Sequence, residues 1–238
     1  MTKSENESNR LMTLFSLSTL TSITMILVVT FVGIRAIYTQ NVIEIAEQQS
    51  ISISQALFIQ ERELLTDGNA ATAGSLRILP SDFGSIDQRM HDYLQPFNIV
   101  KIKVFDRHRS IIYSTDPSVI GKADKANARL ETALRGDVDA QFRTKDKIVD
   151  LAEEERLNID VVETYVPVRN LAGEIIGSVE IYMDVTRYRD RLNEILGASM
   201  SVIGPVLLTA FALVYLVMRR GTRRLSQLSL IHISEPTR

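Results

Sequence analysis

Acidic and tyrosine side chains alternate along one segment late in the chain, at a spacing that suits ligand binding. Glu180, Tyr182 and Asp184 occupy every second position, so in a β-strand they share one face. Glu163 and Tyr165 repeat this spacing in the preceding segment. Because a buried charge needs a partner, such a face suits a polar ligand. The alternative is a solvated sheet face on which these residues form cross-strand pairs.

A second candidate group lies around residues 107–113. An arginine in a turn there, Arg107, could hold a carboxylate through two parallel hydrogen bonds, with Tyr113 nearby; an exposed turn is the alternative. The ligand-binding residues predicted from both groups are Arg107, Tyr113, Glu163, Tyr165, Glu180, Tyr182 and Asp184.

Motifs of catalysis are missing from the sequence. It contains no hydrolase nucleophile motif, phosphate-binding loop, dinucleotide fingerprint or Gly-Gly-Asp-Glu-Phe motif. It has no cysteine, and its three histidines are too far apart for a typical metal site. Basic residues do not cluster with aromatic ones. We therefore predict no catalytic residue, metal, cofactor or nucleic-acid partner, and no enzyme activity for the chain as given.

The elements that must position these side chains follow from hydrophobic periodicity. Helices are predicted at 35–65 (ending at 67–69), 70–79, 85–94, 127–135 and from 186 onward. Strands are predicted at 99–106, 110–115, 138–143, 160–169 and 174–184, and the highly charged segment 145–157 is predicted to be a solvated helix or loop. One stripe of the first helix is expected to be Tyr38, Val42, Ile45, Gln49, Ile53 and Ala56. This order predicts an α+β domain with a five-stranded antiparallel sheet and helices on one face.

Two uncharged, mostly apolar segments bracket this domain. Residues 11–34 and 195–218 are each 24 residues long, enough for a helix to cross a hydrocarbon core of about 30 Å. Eight residues of the first segment are Ser or Thr, which can bond to carbonyls of their own helix or to a neighbouring helix. The intervening residues 35–194 are acidic, with 26 acidic against 20 basic residues.

Four arginines set the expected orientation in the bilayer. Arg219, Arg220, Arg223 and Arg224 follow the second segment directly, and positive charge beside a span favours the cytoplasmic side. We therefore expect residues 1–10 to be a cytoplasmic tail, 35–194 to be an extracytoplasmic domain and 219–227 to begin a cytoplasmic region. Both termini would then be cytoplasmic.

The final residues 228–238 read LSLIHISEPTR. This string looks like an in-frame translation of a sequencing-library adapter, the alternative being a short disordered tail. We expect the natural chain to continue differently after Gln227, so His232 carries no mechanistic argument.

Three segments carry a resemblance to a known family: VFDRHRSIIYSTD at 104–116, ALRGDV at 133–138, and ETYVPVRNLAGEIIGSVEIYMDV at 163–185. They resemble the extracytoplasmic PAS-like, or Cache, sensor domains of bacterial receptors. Arg109 stands where that family often has glycine. The resemblance implies a small-molecule ligand (an organic acid, amino acid or amine), a homodimer, and a location in the bacterial inner membrane with the sensor domain in the periplasm.

The function expected from these features is that of a receptor fragment: small-ligand sensing coupled through two spans to an output domain missing from this sequence. A histidine kinase is the first expectation for that output, and a diguanylate cyclase or chemoreceptor the next. A membrane-anchored envelope protein without an output domain, or a tethered enzyme, is the alternative from another class.

Overall fold

The computed structural model describes residues 3–66, 74–151 and 154–232. Its helices are α1 (Lys3–Leu65), α2 (Phe83–Leu94), α3 (Ala128–Arg135) and α4 (Thr186–His232), with a short 3-10 turn at Pro117–Val119. Its strands are β1 (Ile99–Asp106), β2 (Ile111–Ser114), β3 (Asp139–Val149), β4 (Glu155–Arg169) and β5 (Ile175–Asp184). The chain divides into two compact units, Tyr38–Arg191 and the pair Met1–Ile37 with Leu192–Arg238.

The unit Tyr38–Arg191 is built on one five-stranded sheet. The strand order is β2-β1-β5-β4-β3, and every neighbouring pair is antiparallel. This confirms the predicted α+β class and the five-stranded antiparallel sheet. Strand β5, which carries Glu180, Tyr182 and Asp184, lies at the centre of the sheet and is hydrogen-bonded to a strand on each side.

One sheet face packs against α1 and α2 to form the apolar core. Ile102, Val104, Val179 and Ile181 point into it from the sheet. The facing helical side chains are Val42, Ala46, Ile53 and Leu57 of α1, and Ile86, Met90 and Leu94 of α2. Of the predicted α1 stripe, which could pack on the sheet or form a dimer seam, Val42 and Ile53 lie in this core and Tyr38 packs against it. Ile45, Gln49 and Ala56 are exposed.

Three expectations about the elements are wrong. Helix α3 does not join α1 and α2, because Leu130 and Ala133 pack with Phe105 and Tyr165 on the opposite sheet face. Residues 74–79 are not helical, and the rest of that predicted helix lies outside the described residues. The charged segment 145–157 is mostly strand: β3 and β4 pair as far as Val149 and Glu155. Charges suit this hairpin because its end faces solvent, where Lys147 and Glu155 form an exposed ion pair.

The turn between β1 and β2 uses the left-handed backbone conformation. Arg109 has a φ of +69°, and its amide donates to the Asp106 carbonyl. The Asp106 carboxylate accepts from the amides of His108 and Ser110. A non-glycine residue at such a φ is uncommon, whereas glycine adopts it readily. Arg109 therefore adopts, at this position, the backbone conformation that would explain a glycine in Cache-like domains.

The other unit contains the apolar parts of α1 and α4. Each helix has a stretch apolar and long enough to cross a membrane by length and composition, and 6% and 0% of those stretches are buried. Within the first stretch, Ser18, Thr19, Thr21, Ser22 and Thr24 all donate to carbonyls of their own helix. Their hydroxyl groups are therefore satisfied without a neighbouring helix.

Gly177 of β5 lies where the backbone of a neighbouring strand and the side chain of Leu76 approach closely. A Cβ placed there would lie 2.3 Å from the Phe105 carbonyl oxygen and 2.5 Å from Leu76 Cδ1. The Leu76 amide donates to the neighbouring Ile176 carbonyl at 3.0 Å, which draws this segment onto the sheet. Only a residue without a side chain allows both contacts.

We predict that Gly177→Ala lowers the free energy of unfolding by roughly 1–3 kcal/mol, because a methyl group there overpacks against backbone. Gly84→Ala is the matched control, since a methyl group at that position would have no neighbour within 4 Å and the residue sits in the first turn of α2. The control should be neutral or slightly stabilising. Thermal unfolding of the full chain in detergent would measure both. Equal stability of the two variants would contradict the close approach.

Candidate functional site

The sheet face opposite the apolar core carries charged side chains from four strands. Antiparallel register places Glu180 of β5 opposite Lys103 of β1 and Tyr165 of β4. The same register places Tyr182 opposite Glu163. Directly opposed residues have side chains close enough to interact. The register therefore assembles a polar cluster in the middle of the sheet.

Glu180 is the centre of this cluster and is 1% exposed. Its Oε1 accepts hydrogen bonds from the hydroxyl groups of Tyr165 at 2.5 Å and Tyr182 at 2.7 Å. Its Oε2 accepts from Lys103 Nζ at 2.8 Å, and the same Nζ also donates to the Tyr182 hydroxyl at 2.8 Å. Both carboxylate oxygens are thus satisfied inside the protein, as a buried carboxylate requires.

Glu163 forms a second centre, with two cationic partners. Arg129 of α3 donates from Nη1 to Glu163 Oε2 at 2.9 Å and from Nη2 to the Glu163 carbonyl at 2.7 Å. Lys145 Nζ lies 2.5 Å from Glu163 Oε1. At that distance the two groups form an ion pair. Glu163 Oε1 is nevertheless without a hydrogen bond of acceptable geometry. Arg129 also donates from Nε to Asp139 at 2.5 Å.

The two centres interleave through their aromatic rings. Lys103 and Lys145 lie 5.0 and 5.6 Å from the centre of the Tyr182 ring, and the Arg129 guanidinium lies 4.9 Å from that of Tyr165. We call this group the sheet-face network. Its members are Lys103, Arg129, Lys145, Glu163, Tyr165, Glu180 and Tyr182.

Burial holds both tyrosines of the network in their neutral form. Desolvation is the largest cause that raises the pKa of Tyr165 and of Tyr182, and the negative charge of Glu180 raises both further. Each hydroxyl therefore keeps its proton and donates it to Glu180. The tyrosines act as fixed hydrogen-bond donors at the bottom of the network.

Helix α3 supplies the cover of the network, and its position depends on one cap. Asn127 Oδ1 accepts from the amides of Arg129 and Leu130, which begins the helix. The Asn127 side-chain amide donates to the Tyr165 hydroxyl at 2.9 Å. The residue that begins the helix thus also ties it to the network and brings Arg129 over the sheet.

The predicted ligand-binding residues separate into a group and three outliers. Glu163, Tyr165, Glu180 and Tyr182 lie together in the network. Tyr113 lies on the other sheet face, where its hydroxyl donates to Asp87 of α2 at 3.0 Å. Burial and the Asp87 charge raise the pKa of Tyr113.

The two other outliers lie at the ends of the sheet. Arg107 is exposed in the β1–β2 turn, where its backbone amide donates to Ser75 Oγ. Asp184 ends β5, and its Oδ1 accepts from the Thr186 amide at 2.8 Å at the start of α4. The fold therefore does not bring Arg107, Tyr113 and Asp184 into one pocket with the sheet-face network.

The sequence-based prediction missed all the cations of the network. Lys103 gave a signal, since it alternates with apolar residues along β1 and so lies opposite the core. Arg129 and Lys145 gave none, because their contacts depend on where α3 and the long β3 strand fold back. Among the described residues, no group of three or more acidic or histidine side chains is placed to hold a metal ion.

Comparisons with known proteins add little to the assignment. No family model matches the chain, and no curated protein does. The sensor domain of the Vibrio cholerae histidine kinase DctB is similar over 77% of this chain and 60% of that one, at 13% identity and a TM-score of 0.37. The Escherichia coli DcuS sensor domain covers 63% and 98%, at 14% identity and 0.36.

The periplasmic domain of Chlamydia trachomatis RsbU is similar over 74% of this chain and 56% of that one, at 14% identity and a TM-score of 0.44. This chain thus spans less than two thirds of the DctB and RsbU structures. Scores and identities this low establish neither a fold family nor a function for it.

A double-mutant cycle on Lys103 and Glu180 tests whether the network is a coupled, buried unit. We predict that Lys103→Met or Glu180→Gln alone lowers the free energy of unfolding by about 3 kcal/mol, since each leaves a buried partner unpaired. Together they should cost less than the sum by about 1–3 kcal/mol. Thermal unfolding of the full chain in detergent measures all four states.

The control cycle uses Lys147→Met and Glu155→Gln, an ion pair of similar length whose side chains are 57% and 59% exposed. Its coupling should stay below about 1 kcal/mol. A coupling between Lys103 and Glu180 no larger than this control would contradict the network as described.

Proposed function

We propose that this chain is the sensory part of a membrane-bound receptor. Residues 38–191 would bind a small polar ligand outside the cytoplasm, and residues 11–34 and 195–218 would cross the bacterial inner membrane. The observation that carries the proposal is the sheet-face network, in which two carboxylates and three cations are held on a face that stability alone would fill with apolar side chains.

The energetics of buried charges favour a functional role for the network. Breaking a buried ion pair is strongly destabilising, but replacing it by apolar residues of similar volume is often neutral or stabilising. Replacing Lys103 and Glu180 together by apolar residues such as Met and Leu should therefore leave the free energy of unfolding about the same. The alternative is that the charges serve only to specify strand register, and the thermal-shift screen described below distinguishes the two roles.

The chemistry of the network suits a ligand that carries a carboxylate or an ammonium group. A ligand carboxylate could displace the Glu163 carboxylate and pair with Arg129 and Lys145. The planar guanidinium of arginine and the compact ammonium of lysine both bind carboxylates. A ligand ammonium could exchange with Lys103 beside Glu180. In either exchange a buried partner remains paired, so the ligand class is the predicted one: an organic acid, an amino acid or an amine.

The chain path offers a route from this site toward the membrane segments. Strand β5 carries Glu180 and Tyr182, ends at Asp184, and is followed after one residue by α4. A ligand that binds one arrangement of the network better would shift the population of that arrangement. The shift would act on the start of α4 through Asp184, whose carboxylate caps that helix. We propose a homodimer and cytoplasmic termini on the grounds given by the resemblance and by the arginines from Arg219 onward.

The output that would receive this signal is proposed from the resemblance alone. A histidine kinase is our first proposal, and a diguanylate cyclase or a chemoreceptor is the alternative. Sequencing the gene from genomic DNA across codon 227 tests this directly. A kinase, cyclase or chemoreceptor domain read in frame would support the proposal, and a stop codon there would instead favour an anchored envelope protein.

A thermal-shift screen of the full chain in detergent tests ligand binding. We predict that at least one compound among small organic acids, amino acids and amines raises the unfolding temperature. For an acid, Arg129→Gln should weaken binding by roughly 10–100-fold, because it removes a charge-assisted hydrogen bond. Arg143→Gln is the matched control, since Arg143 is exposed on β3 beside the network strands.

Two results would contradict the proposal. A set of such compounds without any stabilising member would exclude the ligand class. A stabilising compound that binds Arg129→Gln, Lys103→Met and the control variant equally well would place the ligand away from the sheet-face network.

A further inference from the structure

A cavity of about 810 Å³ lies at the end of the sheet where α4 begins. Its wall is formed by the end of α2, the start of β1, the first two turns of α4, and Asp150, Leu151 and Arg156 near the ends of β3 and β4. The charged side chains that line it include Asp92, Asp150, Arg156, Asp184, Arg187 and Arg191. No member of the sheet-face network lines it, so it is a separate site.

Most of the charge in this cavity is already engaged. Arg156 donates from Nε to Asp150 at 2.6 Å and from Nη1 to Asp184 at 3.4 Å. Asp150 also accepts from the Glu154 amide, and Asp184 from the Thr186 amide. These two carboxylates are therefore occupied by groups of the protein itself.

Arg187 and Arg191 are the unengaged cations of this wall. They are spaced four residues apart on α4, so their side chains lie on the same face of the helix. Both are exposed, and neither makes an ion pair or side-chain hydrogen bond within the described part of the chain. Like charges at this spacing repel each other, and an anion placed between them removes that repulsion. Arg189, between them in sequence, is by contrast paired with Asp160 at 3.0 Å.

We propose that this cavity binds an anionic phosphate or carboxylate group between Arg187 and Arg191. A guanidinium pair suits such a group because each fork offers parallel N–H donors to two of its oxygens. The third acidic residue of the wall, Asp92, is exposed and opposes the anion from the α2 side. The site would thus bind an anion with an affinity that Asp92 limits.

The anionic group could come from either of two sources. A free anion could enter from solvent. A phospholipid headgroup could also provide it, because Arg187 and Arg191 precede the uncharged segment 195–218 by only eight and four residues in the same helix. In both cases the anion contacts the first two turns of α4, the helix that the proposed receptor would use for output.

The free-anion arm uses inorganic phosphate and the full chain in a detergent without phosphate groups, at constant ionic strength. Phosphate should raise the unfolding temperature in a saturable way. The double variant Arg187→Gln/Arg191→Gln should raise the apparent Kd for phosphate at least roughly tenfold, the loss of one charge-assisted hydrogen bond. The control Lys122→Gln/Arg143→Gln removes the same charge from exposed positions outside the cavity and should leave it unchanged.

The lipid arm uses the full chain in nanodiscs of phosphatidylcholine with a minority of phosphatidylglycerol. Native mass spectrometry then counts the phosphatidylglycerol molecules retained by each variant. Loss of retention in the arginine double variant but not in the control assigns the anion to a lipid, and a phosphate effect without it assigns the anion to solvent.

A third variant keeps the proposal testable if the arginine variant does not fold. Asp92→Asn removes the opposing charge and should tighten phosphate or phosphatidylglycerol binding severalfold. The proposal is overturned if neither probe distinguishes the arginine variant from its control, or if Asp92→Asn weakens binding of the probe that binds. No residue of the sheet-face network lines the cavity, so the screen of acids and amines with Arg129→Gln gives its result independently of phosphate and phosphatidylglycerol binding. Failure here is therefore distinguishable from failure of the network as a ligand site.

Discussion

The burial of full charges on one face of a central strand is the constraint on which this structure depends. Glu180 is almost fully buried, and Lys103, Tyr165 and Tyr182 satisfy both of its carboxylate oxygens. Those partners come from three strands, and each is brought into place by the register of β5 with its neighbours. A slip of one residue would turn the Glu180 side chain toward the apolar core. The contacts of the network therefore favour the observed register, and that register brings the network residues together.

The two faces of the sheet divide the tasks of the domain. The core face joins the sheet to α1 and α2 with apolar contacts that tolerate little change in volume. The network face is held by hydrogen bonds and ion pairs, which in the proposed function a ligand with similar groups would replace. Strand β5 contributes side chains to both faces and is followed by α4. Under that proposal, a rearrangement on the charged face would act on a strand whose other face is packed in the core, which would favour a discrete change at the β5–α4 junction.

Local period-two patterns explain why much of the network could be predicted from sequence. Glu163, Tyr165, Glu180 and Tyr182 sit in adjacent antiparallel strands, so alternation alone places them together. Tyr113 lies apart from these four because it pairs with Val104, whose side chain lies in the core, and opposed residues share a face. Asp184 lies apart because it ends the strand, where its carboxylate accepts from the first amide of α4.

Long-range geometry explains what could not be predicted. Arg129 reaches the sheet only because α3 crosses the face opposite α1 and α2, and no local pattern specifies that side. Lys145 lies in a segment whose charge density resembles a solvated loop, yet pairing with β4 extends the strand through it. Strict alternation also breaks down at a register shift between Val168 and Arg169: Ile176 lies in the core, although it stands four residues before Glu180 on the same strand.

The proposed receptor function requires the charged domain to lie outside the cytoplasm, and the absence of cysteine from the sequence makes its side of the membrane measurable by thiol labelling. Leu171→Cys places a thiol at an exposed turn of the domain, and Arg220→Cys places one just after the second apolar segment. In spheroplasts, a membrane-impermeant maleimide should label Leu171→Cys at once and Arg220→Cys only after permeabilisation. Protection of Leu171→Cys, with labelling of Arg220→Cys in intact spheroplasts, would contradict an extracytoplasmic sensor.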